Sequence, residues 1–259
     1  MKIDLEKRAA TVRILLDKEG LTSPAPVRVG LAADISGSMH PLYQRGVVQE
    51  TVDRLLGVAA RFDDDGSLDF WTFSDSCHQT EAATPDTYGE FIRQHVLNKE
   101  HSHYWQGTSY APVMRAMADF YFPPEKSQSE PESAPKAGFF SRMFGGGHAT
   151  PAPAPQIVTP STPPVLLPAC AMVITDGEND DKERTRDIVR RTQHLPIYWH
   201  MVGVGAAKHF RFIEELADEF DTVGFVNLHS LEQSDEDIYR QLLASEFIGW
   251  VKAQSAKKV

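Results

Sequence analysis

Residues Val27–Met39 read VRVGLAADISGSM. An apolar run of seven residues ends in Asp34, and Ser36 and Ser38 follow at alternate positions around Gly37. A run this short and this apolar fits a buried parallel strand over 27–33. Asp34 then lies at the strand's carboxyl end, where open α/β sheets bind their ligands. Gly37 permits the tight turn that aims Asp34, Ser36 and Ser38 at one point. One carboxylate and two hydroxyls converging there make a hard-oxygen set of the kind Mg²⁺ or Mn²⁺ favours.

Three side chains do not fill such a shell, and the rest of the chain offers two more. A second apolar run, 165–175, ends at Asp176-Gly177, again a strand closing on an aspartate. Between the two runs lies the loop Gln106-Gly107-Thr108-Ser109, with helical spacing after it. A DxSxS stretch, a Gly-Thr loop and a strand-terminal TDG, in that order, resemble the metal-ion-dependent adhesion site of von Willebrand factor A-type (vWA) domains. The resemblance runs from about Val27 to about Trp250. LDFWTFSD (68–75), GTSYAPVMRAM (107–117), VITDGEND (173–180) and VGVGAAKHFRFIEELAD (202–218) look most like the bacterial branch found beside tellurium-resistance and stress genes. It implies a metal site of Asp34, Ser36, Ser38, Thr108 and Asp176, holding Mg²⁺ or else Mn²⁺ or Ca²⁺. It also implies a partner protein that presents an Asp or Glu to the ion, other proteins of a stress operon among the candidates.

The remaining pattern predicts an α/β fold: a doubly wound, mostly parallel six-stranded sheet in the order 3-2-1-4-5-6, helices on both faces, and one short antiparallel edge strand. Leu5, Ala9, Val12 and Leu16 mark a helix before the first strand, capped by Asp4 and ended by Gly20, so residues 1–26 are read as a helix and its connection. By the resemblance, residues 27–259 are read as a vWA domain interrupted at 123–168. Val48, Val52, Leu55, Leu56, Ala59 and Phe62 give the first crossover helix, and 67–74 the second strand. The edge strand is 77–81, and Tyr88, Phe91, Ile92 and Val96 space as a helix. Then come a helix over 111–122, the strand ending at Asp176, a helix over 182–193, strands at 196–203 and 222–228, and helices at 209–218 and 235–251. Asp63-Asp64-Asp65-Gly66 reads as a solvated turn, because a calcium loop needs further alternating ligands. Gly203-Val204-Gly205 lacks the third glycine of a dinucleotide fingerprint.

Residues 123–168 break every pattern. They hold eleven of the seventeen prolines and read as a disordered insertion within the domain. Inside it Phe139-Phe140-Ser141-Arg142-Met143-Phe144 is an aromatic island, either a docking motif or a segment that folds loosely onto its own domain.

Composition narrows the function. The 259 residues carry a formal net charge of −10, from 26 basic and 36 acidic side chains, which disfavours nucleic acid or an anionic membrane as partner. No apolar stretch reaches the length of a membrane span. Cys77 and Cys170 lack metal-ligand spacing and read as buried free thiols of a reducing compartment, hence a cytoplasmic protein.

The function expected is a metal-dependent protein-binding module, without catalysis. His40, Tyr43, His103, Tyr104 and Trp105 flank the motif as an aromatic and imidazole rim. Two alternatives remain. One is a metal-dependent hydrolase with Asp34 or Ser36 as nucleophile and His40 or His103 as base, although no GxSxG elbow is present. The other is a scaffold acting through 123–168.

Overall fold

Strand β1, Arg28–Asp34, runs through the centre of a six-stranded sheet. Val29, Leu31 and Ala33 point to one face and Ala32 to the other, and both faces are covered, which is why the run is apolar without alternation. We describe a computed structural model, in which residues 2–63, 66–99, 104–124, 166–205, 209–228 and 231–257 are defined. His101, Ser102, His103, Asp64, Asp65 and residues 125–165, with the Phe139–Phe144 island, lie outside the described residues.

The other strands are β2 (Asp69–Phe73), β3 (Cys77–Gln79), β4 (Ala169–Thr175), β5 (Ile197–Val204) and β6 (Val223–Leu228). Their order is β3-β2-β1-β4-β5-β6, with every neighbour parallel except β2–β3, as the pattern predicts. Helix α1 (Lys2–Lys18) is followed by α2 (His40–Gln44), α3 (Val47–Phe62), α4 (Tyr110–Tyr121), α5 (Lys182–Thr192), α6 (Arg211–Glu219), α7 (Asp235–Leu242) and α8 (Ser245–Ala256). Two cores result. One lies under α1, α3, α7 and α8 and takes Leu31, Met172 and Val202 from the sheet; the other lies under α4, α5 and α6 and takes Trp71, Val173 and Trp199.

Helix α1 shares the first core through Leu5, Val12 and Leu16. Its Arg8 bonds Glu50 at 2.6 Å, Asp235 at 3.1 Å and the Tyr88 hydroxyl at 2.7 Å, tying α1 to α3 and α7. Asp4 lies within the first turn and not at the cap position, because the helix already starts at Lys2. The other end does stop at Gly20, where φ is +80° and the Leu21 N–H donates back to Leu16 O.

Two helices differ from expectation. Residues 235–251 form α7 and α8, with a break at Leu243-Ala244 where Ala244 is extended at ψ 158°. Apolar spacing continues across this break, with neither Gly nor Pro to mark it. Around Tyr88–Val96 only one turn of π-helix forms, at Ile92–Val96. Cys170 is buried and Cys77 only half-buried, and both are free. Among the described residues no helix is long and apolar enough to cross a membrane.

Helix α4 starts beside the carboxyl ends of the parallel strands and runs to their amino ends. The chain therefore departs at Pro124 and returns at Leu166 at the end of the sheet opposite Asp34 and Asp176.

Candidate metal centre

The pairing of Ala33 with Ile174 places Asp34 and Thr175 side by side, one step further along β1 and β4. Both side chains point to the α4–α6 face, by the two-residue period of a strand. Thr175 Oγ1 donates to Asp34 Oδ2 at 2.8 Å, and Tyr110 Oη of α4 lies 3.0 Å from the same hydroxyl. The other oxygen, Asp34 Oδ1, accepts the Ser36 N–H at 2.8 Å, a local turn typical of aspartate. The Tyr43 hydroxyl donates to Asp34 O at 2.9 Å. Asp34 is thus fully buried and held at both ends. Burial pushes its carboxyl up to about 7; bonds from Ser36 and Thr175 pull it down, and Asp176 raises it again by repulsion.

Past Asp34 the chain makes one 3₁₀ turn, Gly37–Met39. Ser36 is buried and Ser38 exposed, with their hydroxyl oxygens 3.2 Å apart. Two backbone bonds lace this turn to the Thr108 loop: Gly37 N–H to Gln106 O at 3.0 Å, and Trp105 N–H to Ile35 O at 2.8 Å. Trp105 is the only described non-glycine residue with positive φ, at 60°, a costly conformation for a bulky side chain.

Thr108, itself buried, is clasped from the third loop. Its N–H donates to Asp180 Oδ2 at 2.9 Å, and its carbonyl accepts the Asp180 N–H at 2.8 Å. Gly107 is needed for this approach, since a Cβ there would meet Asp75 Oδ1 at 2.6 Å and Asp180 Oδ2 at 2.9 Å. Asp181 stands at the N-cap position of α5 yet caps α4, accepting the Tyr110 and Ala111 N–H groups at 3.0 and 3.1 Å. Asp176 ends the fourth strand's run, and Gly177 turns the chain at φ +98°. A Cβ on Gly177 would lie 2.5 Å from the Phe210 ring and 2.8 Å from the His209 backbone.

Asp34, Ser36, Ser38, Thr108 and Asp176 therefore sit on three loops joined by backbone bonds at the mouth of the β1–β4 crevice. Asp176 Oδ1 is buried and has no hydrogen-bond partner among the described residues. A buried carboxylate oxygen left unbonded is costly unless something else satisfies it, and a divalent cation held with Asp34 and the three hydroxyls fits that need. No group of three His, Cys, Asp or Glu side chains suited to a metal exists among the described residues; this set has two carboxylates, and its other oxygens are hydroxyls.

The expected rim divides. Trp105 is half-buried, with His40 exposed beside it at 4.5 Å between ring centres. Tyr43 and Tyr104 are buried supports, the latter donating to Val96 O. Sequence reasoning missed Thr175, Asp180 and Asp181. The run Asp176–Lys182, DGENDDK, carried the signal, as a run of acids directly after a strand-terminal aspartate.

The chain matches the family described as vWA found in TerF C terminus over residues 26–133 and 146–259, and it belongs to that family. It is 28% identical to the uncharacterized protein YcbR of Bacillus subtilis (strain 168), over 99% of this chain and 89% of that protein. Among solved structures it is similar to a von Willebrand factor type A protein from Catenulispora acidiphila, with TM-score 0.50 and 13% identity over 87% of this chain and 43% of that one. It is also similar to the conserved hypothetical protein BatB of Bacteroides thetaiotaomicron, with TM-score 0.49 and 14% identity over 87% and 99%. At these identities the structural likeness concerns the fold alone.

Proposed function

We propose that the chain is a metal-dependent protein-binding module. Asp34, Ser36, Ser38, Thr108 and Asp176 hold Mg²⁺ or Mn²⁺, and a carboxylate of a partner completes the shell. The observation that carries this reading is the buried, unbonded Asp176 Oδ1 close enough to the buried Asp34 to raise its pKa. Two carboxylates balance a divalent charge, so the bound ion supplies a coordination position still attractive to a third carboxylate. Thr175 and Ser36 N–H hold Asp34 in place, and Asp180 holds Thr108. Trp105, displayed beside His40 by a strained backbone, offers the partner contact area at low entropy cost.

Turnover is not part of the proposal. Ser36 Oγ lies by Ser38 Oγ, and the His40 ring packs against Trp105, an arrangement that supports ligation over nucleophilic attack. The TerF-like family supports a setting in bacterial tellurite or chemical stress, with other proteins of that system as partners. The two free cysteines support the cytoplasm as its compartment.

The test is calorimetric titration with Mg²⁺ and Mn²⁺, together with affinity capture in Mg²⁺ and in EDTA. Wild type should bind the ion and Asp34→Ala should not, and a captured partner should elute with EDTA and be absent from Thr108→Ala. Equal ion binding by Asp34→Ala would overturn the site, and a partner retained through EDTA would overturn the mode of binding.

A further inference from the structure

Helices α4 and α5 pack side by side, and a groove of about 530 Å³ opens between them near the metal centre. It continues into a second cavity of about 700 Å³ towards Pro124 and Leu166; the two share Arg115, Ile188 and Arg191. The arginines of α5 are sorted by face. Arg186 bonds Glu183, Glu215 and Glu219, and Arg190 bonds Asp187 and Glu219, so both are neutralised towards α6. Arg184 and Arg191, two turns apart, line the groove with Arg115 of α4. None of these three makes a hydrogen bond or ion pair with any described residue, and all are exposed.

Asp187 also lines the groove, but its carboxylate is bonded to Arg190 at 2.8 Å. Asp119 and His194 stand at the far end. Three guanidinium groups without an ion-pair partner among the described residues thus gather on one face of a chain whose net charge is −10. The far half turns apolar through Phe122, Ile188, Leu195 and Leu166, the last 53% exposed.

We propose that this groove docks an acidic peptide segment of a partner protein, with carboxylates on Arg115, Arg184 and Arg191 and one large apolar side chain over Leu166. Guanidinium is planar and offers paired N–H donors, which suits carboxylates. Arg184 and Arg191 are separated by about 10 Å along the helix, a span that an extended peptide covers in about three residues. A nucleic acid fits less well, because the rest of the chain repels a polyanion and the far half of the groove is apolar. This docking is independent of the ion.

The probe is a fluorescein-labelled peptide of repeated Glu-Glu-Leu triplets, titrated with the full chain and read by anisotropy. Wild type should bind it, and affinity should fall roughly tenfold or more as salt rises from about 0.05 to 0.5 M. The R115Q/R184Q/R191Q variant, changed only at exposed positions, should keep its thermal midpoint and lose binding by roughly tenfold or more; EDTA should change nothing. Equal binding by the triple variant, or by the peptide with Gln for Glu, would overturn the proposal. So would equal binding of a Leu-free peptide that tripolyphosphate displaces, which would mean a simple anion site. Loss of the peptide in EDTA would move it to the metal centre, and a dimer that the triple variant dissociates would make the groove an interface between copies. Either result refutes the docking proposed.

Discussion

Thr175 Oγ1 donates to Asp34 Oδ2 across the seam between β1 and β4, so the residue just before Asp176 holds the other aspartate in place. The two carboxylates are therefore coupled through the backbone of β4 as well as by charge. Thr175→Val keeps the shape and removes the donor. It should weaken Mg²⁺ binding by about 10- to 100-fold, the usual effect of losing an outer-shell partner, and cost about 1 kcal/mol of stability. Calorimetric titration and urea denaturation read both; unchanged Mg²⁺ affinity would show that Asp34 does not depend on this bond.

Gly177→Ala meets two obstacles, a positive φ of 98° and the Phe210 ring 2.5 Å from the new Cβ. Together they should cost about 1–3 kcal/mol and displace the Asp176 turn. The midpoint of urea unfolding and the Mg²⁺-dependent thermal shift should both drop. A midpoint equal to that of wild type would mean that the turn relaxes freely.

Arg8 joins α1 to Glu50 of α3 and Asp235 of α7 in a half-buried network that Arg54 also enters, on Glu50 and on Asp235 at 3.2 Å. Because Arg54 remains for both acids, Arg8→Ala should cost about 2–3 kcal/mol, less than orphaning a buried charge entirely. Guanidinium denaturation measures it. A loss below about 0.5 kcal/mol would class the network with ordinary surface pairs.

His200 of β5 is buried against Tyr198 and Phe247, and neither ring nitrogen has a hydrogen-bond partner among the described residues. Burial lowers its pKa from 6.5 to about 4. Above pH 6.5 both folded and unfolded states are neutral there. As the pH falls from 6.5 to 4 the unfolded chain takes up a proton that the folded one refuses, so stability is lost in that window, by about 3 kcal/mol in all. His200→Phe should remove this loss, and the difference between wild type and variant should grow as pH falls from 7 to 4.5. Parallel pH profiles would show that His200 finds a proton partner in solution.

The sheet and the two aspartates were legible because each lies where an apolar run stops, and an apolar run buried on both faces leaves few other readings. The runs 27–33 and 165–175, ending at Asp34 and Asp176, thus determine the seam, and the helical spacing of Val48–Phe62 determines a face. What escaped was written in polar residues whose partners are distant in sequence. Asp180 and Asp181 look like a solvated run until Thr108 and Tyr110 arrive, 72 and 71 residues away. The Leu243-Ala244 break has no sequence mark either; α7 packs on α1 on one side of it and α8 on β5 on the other.

The chain's departure at Pro124 and return at Leu166 have a consequence for assembly. A cut between them divides the molecule along its own symmetry of construction: β3-β2-β1 stay with the first piece and β4-β5-β6 with the second. Asp34, Ser36, Ser38 and Thr108 would belong to one fragment and Asp176 to the other. The two halves would meet along the β1–β4 edge, in the two cores, through the Thr108–Asp180 and Tyr110–Asp181 bonds and through the Arg8–Asp235 pair, so the proposed metal ligands would form a joint between separate chains. If the proposed site holds its ion, a nicked form should reassociate more tightly with Mg²⁺ than in EDTA, which split-protein complementation would read.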